Sequence, residues 1–267
     1  MESAILHISD IHPRSGDNLG RLAEAIASAA KDFKVGFLVA SGDLGYQGQN
    51  QEIAARWLRK LADMIRVPKE RIICVPGNHD VEKGRLERLE NPFSSYSQAL
   101  FQLLEDSKRI GADAVSSYVC DDHEFLLVNS AHHLNTDYGM VDCEAVKRVL
   151  SDQPPASRKI AVVHHNPISV IESDRSTIVN AYEFLRLISG AGYDVLVHGH
   201  QHIAMSLQVG HKTRLAGVGS INFRPWPNTN NQFNIVEIGK RVVRFCFHAD
   251  STSASGMGNW DGKEEAW

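Results

Sequence analysis

The sequence predicts an α/β domain, on three observations. Short apolar runs of β type alternate with stretches of helical periodicity over the first two-thirds of the chain. The last third carries strand-like runs separated by Gly-containing turns, with no helix between them. The length, 267 residues, is enough for one large domain with a sizeable core. Strand–helix–strand order implies parallel strands in the first part, and the closing run of strands reads as a β-meander.

The elements follow in order. Residues 4–8 form a strand, after which Leu19, Leu22, Ile26 and Ala30 recur at helical spacing. A strand at 35–40 precedes a helix carrying Ile53, Trp57, Leu58, Leu61 and Ile65, with Trp57 in the core. A third strand is expected at 71–75, and Tyr96, Leu100, Leu103 and Leu104 mark a helix inside a more polar connection. Strands at 125–128 and 160–163 flank a helix with Val146, Val149 and Leu150. Ile178, Tyr182, Leu185 and Ile188 predict another helix before a strand at 194–197. Strands at 203–209, 212–216, 232–238 and 241–247 complete a domain spanning 1–250. Residues 251–267, Ser/Gly-rich and then charged without any period, read as a flexible tail or a linker to a further domain.

Composition narrows the function. Hydrophobic residues make up 43% and charged residues 22%, the balance of a soluble globular protein. A formal net charge of -4 argues against a strong non-specific hold on nucleic acid or anionic membrane. No apolar run approaches the roughly 18–20 residues that span a bilayer, and the N-terminus lacks a basic segment, so a cytoplasmic location is expected. Cys74, Cys120, Cys143 and Cys246 form no C-x-x-C pair and read as reduced, buried small hydrophobes. Thirteen histidines then stand out.

The polar clusters fall at strand ends. Asp10 and His12 follow the first strand, Asp43 the second, and Asn78, His79 and Asp80 the third. His164 and His165 follow the strand at 160–163, and His200 and His202 the strand at 194–197. In an α/β fold these are the carboxyl ends, the edge where such sheets bind ligands. Carboxylates and imidazoles packed together without compensation would be strongly destabilising. Two divalent cations would compensate the carboxylates and give each imidazole a partner. Strand alternation would turn Asp10 and His12 to one side, and Gly42, Gly77 and Gly199 would allow the tight turns that admit the next side chain. Mixed oxygen and nitrogen donors without sulfur suit two divalent transition metals, manganese or iron before zinc, nickel or cobalt.

These segments resemble the calcineurin-like metallophosphoesterase superfamily. The matching text is Ser9-Asp10-Ile11-His12, Ser41-Gly42-Asp43-Leu44, Pro76-Gly77-Asn78-His79-Asp80, Val163-His164-His165-Asn166-Pro167 and Gly199-His200-Gln201-His202. The resemblance implies a four-layer αββα sandwich of two mixed sheets with two metals at its rim. It further implies that Asp10, His12 and His202 hold one metal, that Asn78, His164 and His200 hold the other, and that Asp43 bridges them. His79 would contact the phosphate or leaving group as an imidazolium, oriented by Asp80, while a hydroxide bridging the metals attacks phosphorus. Asn166 departs from the His-His-Pro-Pro of many relatives and leaves His164 and His165 as alternatives, with His164 preferred at the strand end.

Gly-Asp-Leu-Gly-Tyr-Gln-Gly and Gly-Asn-His-Asp differ from the protein Ser/Thr phosphatase signatures. Gly42-Asp43-Leu44, Gly48 and Glu52 instead resemble the bacterial cyclic-nucleotide and glycerophosphodiester phosphodiesterases. A phosphodiester substrate is therefore expected. The rivals are a DNA or RNA nuclease of the same superfamily, with nucleic acid as substrate only, and a non-catalytic scaffold of the same fold. Among the remaining histidines, His7 reads as a hydrogen-bonded core residue and His198 as either a support for the ligands or packing. His132 and His133 read as a solvated loop, and His123, His211 and His248 as surface. Arg224 and Trp226 lie beside a proline-rich loop and read as ordinary loop packing, with a border of the site as the alternative.

Overall fold

Alternation along the strands decides the layering. Neighbouring side chains in a strand point to opposite faces, and most strands here are buried on both. In β1 (Ala4–Ile8), Ala4, Leu6 and Ile8 pack toward helices, while Ile5 faces a second sheet. The same split runs through β2 (Val35–Ser41), where Leu38 and Ala40 face helices and Phe37 and Val39 face the other sheet. Near-continuous apolar runs suit strands covered twice. The computed structural model describes residues 4–46, 48–83, 91–152, 156–222, 229–249 and 258–266. Arg224 and Trp226 lie outside them.

The first sheet has the order β12-β11-β10-β1-β2-β3. Here β3 is Ile72–Val75, β10 is Gln232–Glu237, β11 is Arg241–Ala249 and β12 is Gly258–Ala266. The strands β1, β2 and β3 are parallel, and β10 runs antiparallel to β1 with Ile5 opposite Val236. The second sheet has the order β4-β5-β6-β7-β9-β8. It comprises β4 (Val115–Cys120), β5 (His123–Val128), β6 (Arg158–Val163), β7 (Val195–His198), β8 (Met205–Val209) and β9 (Thr213–Gly217). Its strands from β5 to β9 pair in parallel, edged by antiparallel β4 and β8.

Helices α1 (Leu19–Ala29), α2 (Gln51–Met64) and α3 (Ser94–Leu104) cover the first sheet, with Trp57 buried among them. The second sheet is covered by α4 (Cys143–Ser151) and α5 (Ala181–Gly190). Asn18 caps α1 by accepting from the Arg21 amide, and Asp142 caps α4 by accepting from the Ala145 amide. Between the sheets lies a buried apolar layer that includes Phe37, Ile73, Phe125, Ile160, Val162 and Val197. Each such side chain contributes about 1.5–3 kcal/mol by leaving water. The result is the α/β, four-layer αββα sandwich of two mixed sheets.

Two expectations are corrected, and one strand is added. The closing strands are not one meander: β8 and β9 join the second sheet, and β10 crosses to pair with β1 in the first. Residues 258–266, expected within a flexible tail, form an edge strand along β11, and Trp260 packs on Phe233 and Phe247 with centroids 4.9 and 5.4 Å apart. The strand β4 was not foreseen, because Val-Ser-Ser-Tyr-Val-Cys carries too weak an alternation. Among the cysteines, Cys74 and Cys143 are buried and Cys120 and Cys246 only partly so; all four are free. Among the described residues, no helix is long and apolar enough to cross a membrane.

Candidate metal centre

Five loops at the carboxyl ends of β1, β2, β3, β6 and β7 meet over the seam between the sheets. The first turns as soon as it leaves β1. Asp10 and His12 both adopt left-handed backbone, φ 55° and 41°, so two consecutive turns bring their side chains together, not the alternation of a strand. The turn is held by backbone: the Asp10 amide donates to the Gly42 carbonyl at 3.1 Å and the Ile11 amide to the Asp43 carbonyl at 3.0 Å. Ser220 donates its hydroxyl to the Asp10 carbonyl at 2.7 Å, which ties the loop after β9 to the same point.

Gly42 has φ 94°, and a Cβ there would collide with the His164 ring. Only glycine fits both demands. Gly77 and Gly199 lie outside the left-handed region; what they provide is room, since a Cβ on Gly77 would strike the Asp43 carboxylate and one on Gly199 the Ser9 side chain.

The donor atoms converge. His202 Nε2 lies 3.0 Å from Asp10 Oδ1, and His12 Nε2 lies 3.7 Å from Asp10 Oδ1 and 3.5 Å from Asp43 Oδ2. On the other side, His164 Nε2 lies 3.3 Å from Asp43 Oδ2, 3.1 Å from Asn78 Oδ1 and 3.2 Å from His200 Nδ1. Asp43 thus stands between a group of Asp10, His12 and His202 and a group of Asn78, His164 and His200. Its other oxygen accepts the His79 amide at 2.8 Å, and Asp10 Oδ2 accepts the His200 amide at 3.1 Å.

The opposite ends of the imidazoles fix their orientation. A carbonyl only accepts, so His12 Nδ1 carries the proton it donates to Gly45 O at 3.0 Å, and His164 Nδ1 the proton it donates to Ser41 O at 2.8 Å. Both Nε2 atoms are thereby turned into the site, the arrangement in which carbonyls orient ligating histidines. His165 points elsewhere: its Nδ1 meets the Ser130 hydroxyl at 2.8 Å. Asn166, the departure from His-His-Pro-Pro, accepts the Gln201 amide at 3.1 Å and so joins the two histidine turns.

The charges of the chain alone do not balance. Asp10 and Asp43 are buried, which works against their ionisation, yet the surrounding histidines hold both below the usual carboxylate range. Burial also opposes the His164 imidazolium, but Asp43 outweighs it and lifts the pKa to about 9. His200 is depressed to about 4 by burial and by His164. Asp10 Oδ1 and His202 Nε2 lie 3.0 Å apart without an aligned hydrogen bond between them. Among the described residues, no arginine or lysine bonds to Asp10, Asp43, Asn78, His164 or His200. Two sets of donors, Asp10 with His12 and His202 and Asp10 with Asp43 and His164, each lie close enough together to hold a cation. The residues fit a pair of divalent ions.

His79 and Asp80 depart from expectation. The Asp80 carboxylate accepts from the amides of Leu44, Gly45 and Gly77 and from Gln51 Nε2, at 3.3, 2.9, 2.8 and 2.8 Å, and not from His79. It clamps the loop after β2 to the turn after β3. Burial lowers the His79 pKa and so works against the imidazolium, with Asp43 opposing. Tyr46 stacks on that ring. His7, as expected, is buried and bonds through Nε2 to the Ser41 hydroxyl at 2.8 Å. His198 is buried beside it, His132, His133 and His211 are exposed, and His123, expected at the surface, is buried against Phe37. Sequence reasoning gave no role to Ser41, Gly45 or Gln201, whose contributions run through backbone or through neighbours of the ligands.

A sequence profile of the calcineurin-like phosphoesterases matches residues 3–204, about three-quarters of the chain and all five loops. The chain belongs to this family. As a calcineurin-like phosphoesterase it is a metal-dependent phosphoric ester hydrolase. No curated protein matches it in sequence. Among solved structures, a dimetal phosphatase from Danio rerio is similar at TM-score 0.63 and 13% identity, covering 99% of this chain and 98% of that one. A purple acid phosphatase from yellow lupin (Lupinus luteus) is similar at TM-score 0.59 and 13% identity, covering 99% of this chain and 53% of that one. A protein described as the anchor in the inner membrane complex of Plasmodium is similar at TM-score 0.57 and 14% identity, covering 98% and 89%. At such identities the likeness is one of fold.

Proposed function

We propose that this phosphoesterase is a two-metal phosphodiesterase of small diesters. The observation that carries the reading is the meeting of seven oxygen and nitrogen donors from five loops, with Asp43 between two sets. Asp10, His12 and His202 would hold one divalent ion, and Asn78, His164 and His200 the other, with Asp43 shared. Manganese or iron suits this mixed donor set, as zinc, nickel or cobalt would. Bound there, the ions supply an activated water and offset charge developing on phosphorus. The chain's own part is to hold the donors rigid through Ser41, Gly45 and Asp80 and to present His79 at the leaving oxygen as a hydrogen-bond donor.

Two features favour a diester. The Gly42 to Glu52 segment resembles that of bacterial phosphodiesterases, and among the described residues no arginine bonds to the five donors named above. A monoester dianion brings extra charge, which arginines beside the metals commonly meet. Dialysis against a strong chelator should abolish hydrolysis, and manganese should restore it. The metal-loaded protein should cleave bis(p-nitrophenyl) phosphate with higher kcat/KM than p-nitrophenyl phosphate. A preference for the monoester would overturn the diesterase reading. Efficient DNA cleavage weakening steeply with salt would replace it with the nuclease reading. Full activity of the metal-free protein would overturn the mechanism.

A further inference from the structure

Tyr46 stands at the mouth of the metal centre with little backbone freedom. On one side, Gly45 is fixed through its carbonyl to His12 Nδ1 at 3.0 Å and through its amide to Asp80 at 2.9 Å. Tyr46 itself exchanges two backbone hydrogen bonds with Gln49, each 3.0 Å, and the Gly48 amide donates to the His79 carbonyl at 2.9 Å. The loop is tied to the histidine it covers. The Tyr46 ring lies nearly parallel to His79, centroids 4.9 Å apart and planes 14° apart, and meets His12 edge-on at 5.8 Å. His79 and His12 are themselves perpendicular at 5.1 Å. Yet Tyr46 remains 42% exposed.

A large aromatic side chain held this firmly, stacked on one neighbour and open to solvent, is arranged to receive another flat group. Aromatic side chains on which bases stack act this way and tolerate any base, because every base has a π-face. We propose that Tyr46 determines specificity at this site by stacking on a planar aromatic substituent of the phosphodiester. This rests on the diesterase reading above. The substrate class is then a diester bearing an aryl group or a nucleobase near phosphorus, in preference to one bearing only short alkyl groups.

The test compares bis(p-nitrophenyl) phosphate with methyl p-nitrophenyl phosphate, which share a leaving group and differ in the substituent that stays. Their kcat/KM ratio is measured for the manganese-loaded wild type and for Tyr46→Leu, Tyr46→Phe and Tyr46→Trp. Tyr46→Leu should lower the ratio about tenfold, the worth of one aromatic stack, while Tyr46→Phe and Tyr46→Trp keep it. Metal content by mass spectrometry checks that each variant retains its site. An equal loss on both substrates, or no loss on either, would overturn the proposal and leave Tyr46 as a support for His79. Equilibrium binding of both diesters to the loaded proteins is measured alongside. An inactive wild type would sink the diesterase reading, and binding would still decide on Tyr46. A wild-type preference for the bis-aryl ester that disappears in Tyr46→Leu supports the proposal; no preference, or one that survives, overturns it.

Discussion

At the scale of single residues, the backbone of the metal centre is under strain. Among the described residues eleven non-glycine positions have positive φ, and five of them are Asp10, His12, Asp43, His200 and His202. Such conformations cost about 1 kcal/mol or more each and persist where the surroundings over-determine them. They cluster here because the loops must fold back sharply to aim five side chains at one place. The roles differ and can be separated by metal analysis. Asp43→Ala should lose both ions, since its carboxylate lies between the two donor sets. His79→Ala should keep both and lose turnover by about 10²–10³-fold, the usual cost of removing one positioned hydrogen-bond donor. An empty site in His79→Ala would make His79 a ligand. Measured in the same way, His164→Ala should lose metal and His165→Ala should not.

At the scale of elements, the sequence revealed most where a strand is buried on both faces and least where a strand is only partly covered. β1, β2, β3, β5, β6 and β7 announce themselves as apolar runs, and the polar text after five of them marks the centre. β4 and β12 lie at sheet edges, where one face meets water and the alternation fades. The left-handed turns are hard to read from the sequence because Asp and His, although enriched at positive φ, still adopt negative φ far more often. The crossing of β10 to β1 depends on pairing between distant segments, which no local pattern encodes. The function of β12 is accordingly structural. Trp260 covers Phe233, while Arg244 reaches Glu265 at 2.5 Å and Arg241 reaches Glu264 at 2.6 Å. Trp260→Ala should therefore lower stability in urea by about 2–3 kcal/mol, somewhat less than for a fully buried tryptophan. Metal content should stay at the wild-type value. A variant as stable as the wild type would show β12 to be a loosely held strand.

At the scale of the whole molecule, a polar strip runs beneath the metal centre between the two sheets, and it makes the fold sensitive to acid. His7 is buried there, and among the described residues its one side-chain hydrogen-bond partner is the Ser41 hydroxyl. Burial, with repulsion from His198 added and Asp10 opposing, lowers its pKa from 6.5 to about 3. Between those values the unfolded chain takes up a proton that the folded chain refuses. The stability His7 permits is thus complete above pH 6.5 and is lost as the pH falls toward 3. For one such group the slope is about 1.4 kcal/mol per pH unit. His7→Gln should flatten the pH dependence of urea unfolding between pH 6.5 and pH 5 by that amount. Equal slopes in the variant and wild type would assign the acid sensitivity to other groups.

The antiparallel pairing of Ile5 with Val236 has a consequence for how the molecule is made. β1 sits in the middle of its sheet, yet one of its two neighbours comes from the far end of the chain. During synthesis, at roughly 5–20 residues per second, β1, β2 and β3 emerge early and wait with an open flank of unpaired amides and carbonyls. Loop closure over so long a separation is slow. Until β10 arrives, that flank is a ready template for another nascent chain, and His200 and His202 must also have emerged before the donor set is complete. Completion of the donor set therefore waits on the emergence of His202, and pairing of the open flank with another nascent chain is the hazard of that interval.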